Sequence, residues 1–392
     1  MFHFQTTVAD WPRAVAKLPA GAVIKSVDRG DILRDAKAAN PGIKTVLRHW
    51  FDPGQVFGGT LEENRQRARA FFATFIDGTF LSQYAPFVDY VEEWNEYNAT
   101  SHTPAEVAER VTWARAVAEV WSEMRRADGR LAHIRLVLGN IAIGNDLPRA
   151  YAELALQHDA VLGYHAYSHY INGQRDSGDW RYHSGRWHFM EQAWGLKPRW
   201  LFTEAGPYAG VLEGWRHPAV LGGDAGRYVE AVRAWVRDVK ATPAYREGRV
   251  LGFNLFTTGG GQTWRFYETS QPEMDALADM IREEWIPVTI PTPPPPEQRT
   301  WEKTVFLLPQ NATRAQYNAV ADVAYPTRSE IAFSADSAFA RPENLTAHRV
   351  VVYDAAGWGG QAALAAWVQQ HYSYSPATVI EYRGWPPSGG GF

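Results

Sequence analysis

FVDYVEEW at 87–94, TPAEVAERVTWARAVAEVWSEMRRADG at 103–129 and IRLVLGN at 134–140 read as strand, helix and strand. In the middle segment Thr103 is placed to cap, Pro104 suits the first helical position, and Glu106 completes a capping box. Val107, Val111, Ala114, Val117, Trp121 and Met124 then recur three and four residues apart, and Gly129 lies just past the end. The flanking runs are short, apolar and rich in β-branched residues, as a buried strand requires. A strand, a long helix and another strand make a βαβ unit, which builds parallel sheet.

The same alternation extends in both directions. Strands are expected at Phe2–Thr6, Ala22–Val27, Ile43–His49, Phe87–Trp94, Ile134–Asn140, Ala160–Tyr167, Trp200–Glu204 and Val250–Thr257. A further helix over about Asp224–Lys240 carries Val229, Val232, Val236 and Val239 on one stripe. Eight such units before residue 286 match a (β/α)8 barrel, which takes about 250 residues. The rival, a doubly wound open sheet, lacks support because no Gly-x-Gly-x-x-Gly turn follows the first strand. The expected fold class is therefore α/β, a (β/α)8 barrel over residues 1–286.

IPVTIPTPPPP at 286–296 ends it, since prolines remove backbone donors and favour extended geometry. A Pro-rich linker is expected over 287–300, a small α/β module over 301–386 and a frayed tail over 387–392. In the module, strands are expected at Val305–Leu308, Glu330–Ser334, Arg349–Tyr353 and Thr378–Tyr382. Helices are expected from Thr313, with Gln316 completing a capping box, and over Gln361–His371. The module is a candidate for docking to a surface or partner.

Composition narrows the chemistry. Of 392 residues 45% are hydrophobic and 21% charged, so the chain has the apolar content to bury a core. The net charge of -4 leaves no surplus of cations for a phosphate backbone or anionic lipid, which argues against nucleic acid and membrane partners. The absence of cysteine removes disulfides, thiolate metal sites and thiol nucleophiles. MFHFQ at the start shows no leader pattern, which leaves the compartment open between the cytoplasm and export with the leader already removed. Most of the aromatic residues, 17 tryptophans among them, are expected to pack in the core, but so many tryptophans also suit stacking on sugar rings.

A barrel of this kind places its chemistry at the carboxyl ends of the strands. Strand four ends Val91-Glu-Glu-Trp-Asn-Glu96, and strand seven ends Trp200-Leu-Phe-Thr-Glu204. Two carboxylates facing one mouth are what glycosidic cleavage needs, one to deliver a proton and one to attack or stabilise the anomeric carbon. Glu92 and Glu93 lie deeper and read as structural ion-pair partners, and Glu213 as a rim residue. His165 and His169 are four apart but lack the His-Glu-x-x-His helix of a zinc site. No metal or organic cofactor is expected.

Trp94-Asn95-Glu96 and Thr203-Glu204 resemble the acid/base and nucleophile motifs of the clan of (β/α)8 retaining glycoside hydrolases, most nearly the cellulase- and mannanase-type family five. The resemblance implies Glu96 as acid/base and Glu204 as nucleophile in a double displacement on a β-linked poly- or oligosaccharide. It implies substrate contacts from Arg48, His49, Asn95, His165, Tyr167 and Trp264, with Asn95 on the sugar 2-hydroxyl and Arg48 and Tyr167 beside Glu204. The chain departs from the clan pattern at Tyr97, where many members have proline, and in carrying Arg48 on the third strand rather than the second. The alternative is a catalytically idle carbohydrate-binding barrel, such as a surface or phage-type recognition module.

Overall fold

The computed structural model describes residues 1–50, 58–93, 95–96, 103–285, 303–309, 311–314, 316–318, 320, 330–332, 348–358, 360–371 and 378–383. The expected linker and tail, and the aromatics Trp94 and Tyr97, lie outside the described residues. The chain divides into two compact units, Met1–Ile290 and Pro291–Phe392.

The first unit is a closed barrel of 8 parallel strands. They are β1 (Phe2–Phe4), β2 (Val23–Val27), β3 (Lys44–Arg48), β4 (Tyr90–Glu92), β5 (Arg135–Ile141), β6 (Val161–Ile171), β7 (Trp200–Gly210) and β8 (Val250–Thr258). Each pairs with the next, and β8 closes onto β1 with Phe2 opposite Leu255. Outside the ring run α1 (Trp11–Lys17), α2 (Gly30–Ala39), α3 (Leu61–Ala73), α4 (Pro104–Ala127), α5 (Arg149–Gln157), α6 (Arg186–Trp194), α7 (Ala225–Lys240) and α8 (Gln271–Glu284). The capping box of Thr103 and Glu106 forms as the sequence requires. In α7 Val232, Val236 and Val239 are buried and Val229 is half-buried, so the apolar stripe packs against the strands.

All eight expected strands are present, with differences at their ends. Strand four starts later than expected because Ala85–Phe87, with Pro86 at its second position, forms a 3-10 turn. Strands β6 and β7 run on past Tyr167 and Glu204 because they pair with each other there, Ser168 opposite Pro207 and His169 opposite Tyr208. Ser168 and His169 on β6, and Gly206 and Pro207 on β7, hide that extension from a local reading.

Side-chain alternation along a strand sorts the barrel interior into layers. Val23, Val46, Tyr90, Val137, Val161 and Leu201 form one apolar cluster that floors the ring. Two residues further along each strand the register is Lys25, Arg48, Glu92, Gly139, Gly163 and Thr203. The interior therefore changes from hydrocarbon to charge within one layer. The larger core lies between strands and helices, with Trp121, Trp187, Trp200 and Trp285 among its fully buried side chains. Among the described residues no helix is long and apolar enough to cross a membrane.

In the second unit β9 (Lys303–Leu307), β10 (Glu330–Ala332), β11 (His348–Tyr353) and β12 (Thr378–Arg383) form a parallel sheet in the order β10-β9-β11-β12. Val305, Leu307, Val350 and Val352 cluster with Leu364 of α9 (Gln361–His371), while Phe306, Val351 and Tyr353 cluster with Leu308 and Val320. A parallel sheet buried on both faces is the expected small α/β module. The Thr313–Gln316 capping box is formed.

Candidate active site

The charged layer opens onto the carboxyl ends of the strands. On β7 the register against β6 shifts by one residue, so that Tyr164 lies opposite Phe202 but His165 lies opposite Glu204. The extra residue, Thr203, is anchored by its hydroxyl donating to Asn140 Oδ1 at 2.9 Å. A bulge of this kind re-aims the following side chain, and here it brings Glu204 inward onto the polar layer.

Glu204 is buried and crowded by donors. Lys25 Nζ and Arg48 Nη1 each lie 3.4 Å from Oε1, and the Tyr167 hydroxyl donates to Oε2 at 2.8 Å. His3 Nδ1 is 3.8 Å from Oε1, and His165 Nδ1 is 3.6 Å from Oε2. Burial by itself would raise this carboxyl; the charges of His165, Lys25, His3 and Arg48 override it and hold it well below the usual carboxylate range. Burial, followed by Lys25, pushes the His3 imidazole well below its ordinary value and leaves it neutral at neutral pH. Burial and then Glu204 push Tyr167 well above its usual value, which keeps its hydroxyl a donor.

Glu96 stands across from it. Its backbone N–H donates to the Asn140 carbonyl at 3.0 Å, and its φ of 43° is in the left-handed region, an uncommon place for glutamate that such anchoring holds. Its side chain is 44% exposed, against 5% for that of Glu204. His165 Nδ1 is 3.0 Å from Glu96 Oε1. Glu96, His165 and Glu204 each offer an oxygen or nitrogen within 4.8 Å of the other two, so one imidazole spans two carboxylates of which one is buried and one reaches solvent.

Of the other residues expected at the site, Arg48, His165 and Tyr167 converge on this pair. Trp264 is half-buried and packs edge-on against Phe256 at 5.0 Å and Tyr267 at 6.0 Å, in the aromatic cluster that contains Tyr167. Asn95 is half-buried, and its Oδ1 has no hydrogen-bond partner among the described residues. His49 is turned elsewhere. Its Nδ1 lies 2.6 Å from Asp28 Oδ1 and its ring stacks on Phe75 at 4.9 Å, so among the described residues it touches neither carboxylate. Trp50, next to it, is 57% exposed.

Lys25 and His3 are missing from the sequence reading. Lys25 is the one charge inside Val23-Ile-Lys-Ser-Val27, two positions from inward-facing Val23, and that spacing is a signal that period-two reasoning can use. Glu92 behaves as expected, paired with Lys25 at 3.1 Å; burial raises its carboxyl, which Lys25 opposes. Glu93 does not. It has no cation among the described residues, only the Gly139 N–H donating to Oε1 at 2.6 Å, and burial pushes it up to about 8. Glu213 is half-buried in a short strand against the end of β7.

No family model matches the chain, and no curated protein matches it by sequence. Solved structures similar to it include a glucosidase from Croceicoccus marinus, at 12% identity over 70% of this chain and 63% of that one, with a TM-score of 0.43. The β-1,3-glucanase and allergen CJP38 of Cryptomeria japonica pollen is 11% identical over 68% of this chain and 93% of its own, with a TM-score of 0.41. An endo-β-1,3-glucanase from Amycolatopsis mediterranei is 10% identical over 72% and 98%, with a TM-score of 0.38. Identities this low leave the chemistry to be read from the chain's own side chains.

Proposed function

We propose that the barrel is a retaining glycoside hydrolase that cleaves β-linked poly- or oligosaccharides by double displacement, with Glu204 as nucleophile and Glu96 as acid/base. The observation that carries this reading is the unequal carboxylate pair. Glu204 is buried and kept ionised, Glu96 is exposed to an incoming sugar, and their oxygens approach within 4.8 Å. Retaining enzymes hold their carboxyl groups about 5 to 5.5 Å apart, inverting ones about 6.5 to 9.5 Å.

The steps follow from those positions. A Glu204 oxygen attacks the anomeric carbon as the glycosidic C–O bond breaks, and Glu96 gives its proton to the departing oxygen. The glycosyl ester that forms removes the charge of Glu204. Water then attacks the same carbon, Glu96 takes its proton, and the ester bond breaks to return the Glu204 carboxylate. Lys25, Arg48 and Tyr167 hold Glu204 before attack and receive its charge again afterwards. His165 Nδ1 sits where it can orient Glu96 in both steps, and Trp264 offers an aromatic wall.

A panel of 2-deoxy-2-fluoro glycosides tests the proposal, because the fluorine slows the second step and lets the ester accumulate. The expected result is a mass increase of one fluoroglycosyl group, mapped to Glu204. Azide is expected to restore turnover to Glu96→Ala. Full activity in Glu204→Ala, or no adduct and no hydrolysis across the panel alongside measurable sugar binding, would leave the idle binding barrel as the better reading.

A further inference from the structure

A second cluster lies apart from the carboxylate pair. His169 is on the extension of β6, Asp176 follows the short strand Gln174–Arg175 that folds back on Tyr170 and Ile171, and His183 follows the turn Asp179–Tyr182. One imidazole nitrogen from each histidine and one oxygen of Asp176 all lie within 4.8 Å of one another. We propose that these three side chains form a zinc-type divalent metal site on the rim of the barrel mouth, and that the ion pins the loop 172–186 to β6 and β7.

The donor set is chemically apt. Two imidazoles and one carboxylate are ligands that Zn²⁺ takes at tetrahedral sites, leaving a fourth position to water. The two rings are already close, with centroids 4.8 Å apart and planes tilted by 32°. A small cation between two imidazoles and a carboxylate uses all three lone pairs at once.

The ligands are held before any ion arrives. Asp176 accepts the Gly178 N–H on Oδ1 at 2.9 Å, which leaves Oδ2, 3.1 Å from His169 Nδ1, turned towards the cluster. Beneath it the buried Asp179 accepts the His169 backbone N–H at 2.6 Å, Arg175 Nε at 2.7 Å and the Ser184 hydroxyl at 2.6 Å. His183 Nδ1 lies 3.1 Å from the Tyr208 hydroxyl, a hydrogen bond of the kind that fixes the tautomer and aim of an imidazole. Asp176 also borders a depression of about 430 Å³ with Arg175, Ser177, Trp180, Asp238 and Ala241.

Charge separates this cluster from the trio of Glu96, His165 and Glu204, which meets the same distance criterion. There Lys25 and Arg48 already neutralise Glu204 at 3.4 Å and would repel a dication. Around Asp176 the nearby cations are engaged elsewhere, Arg175 with Asp179 and Asp238 and Arg186 with Asp146. Among the described residues, no lysine or arginine forms an ion pair with Asp176. The Tyr208 ring packs on Tyr167 at 5.8 Å, and Tyr167 donates to Glu204, so the ion would brace one wall of the cleft. The site stands whether or not the carboxylate pair cleaves a glycoside.

The test uses the full chain, stripped with a chelator and titrated with Zn²⁺ by calorimetry and with Co²⁺ by visible absorption. One Zn²⁺ per chain is expected at micromolar concentration, with the intense absorption of a four-coordinate Co²⁺ site. Tyr208→Phe removes the hydroxyl that holds His183 and should weaken binding about 10- to 100-fold, and His169→Gln with His183→Gln should weaken it more. Asp176→Asn keeps the Gly178 hydrogen bond and the side-chain volume, so it reports on the site even where the double variant fails to fold. The proposal is overturned by a stripped chain that takes up no zinc at micromolar concentration, by binding that Asp176→Asn and Tyr208→Phe leave unchanged, or by binding that Glu96→Gln abolishes, which would put the ion in the cleft.

Discussion

Replacing Lys25 with methionine removes the buried cation that two buried carboxylates share. Its Nζ is 3.4 Å from Glu204 Oε1 and 3.1 Å from Glu92 Oε2, with side-chain exposures of 0% for Lys25 and Glu92 and 5% for Glu204. At an effective dielectric constant near 20, the attraction over 3.4 Å is about 5 kcal/mol. Arg48 remains on the same oxygen, and methionine restores the packing of the hydrocarbon stem, so the net cost falls short of the gross attraction. Removing one partner of a buried pair costs about 3 to 5 kcal/mol, and we expect the lower end, about 3 kcal/mol at pH 7.

The pH dependence has a definite sign. In the native chain Glu204 lies well below its ordinary value of 4.5, so its stabilisation is complete at neutral pH and is lost only as pH falls through the depressed value. In K25M that value rises. The cost of the substitution therefore shrinks on acidification through the raised value, since protonation removes the charge that has lost its partner. Urea denaturation of both chains between pH 8 and pH 4 measures this directly and needs no substrate. A difference under about 0.5 kcal/mol at pH 7, the scale of an ordinary surface substitution, or a cost that grows as pH falls, would refute the electrostatic account of the site.

Three further outcomes are expected. Glu93 is pushed to about 8 from 4.5, so its contribution is fully present below 4.5 and is lost as pH rises through 8; Glu93→Gln keeps the Gly139 bond and should gain on the native chain by about 1.4 kcal/mol per pH unit between pH 5 and 8, where parallel urea midpoints would contradict it. Tyr167→Phe removes a 2.8 Å hydrogen bond to the Glu204 carboxylate, a loss of about 1.5 to 3 kcal/mol, and should lower kcat/KM on an aryl glycoside by about tenfold or more with the acidic limb moved to higher pH. Residues 1–286 produced alone are expected to fold and to turn over soluble substrate like the full chain; loss of turnover with the circular dichroism of a folded barrel would assign the C-terminal unit a part in catalysis.

What the amino-acid order determined by itself is local. Capping boxes at Thr103 and Thr313, the valine stripe of α7 and eight apolar runs are readable because each depends on neighbours within a few residues, and eight units in one array leave little choice but closure. The positions of Glu96 and Glu204 followed from that count, since strand ends in a barrel share one mouth. What the tertiary structure decided is everything that needs distant strands at once. Lys25 on β2 meets Glu204 on β7 across 179 residues, and nothing within either strand says which cation will neutralise which acid. His49 turned to Asp28 because β3 exits beside β2, among the described residues Glu93 was left without a cation, and His169 met His183 only when the loop folded back. A one-residue bulge at Thr203 chose which side chain faced the cavity, and a bulge is set by pairing with β6, which no single strand encodes.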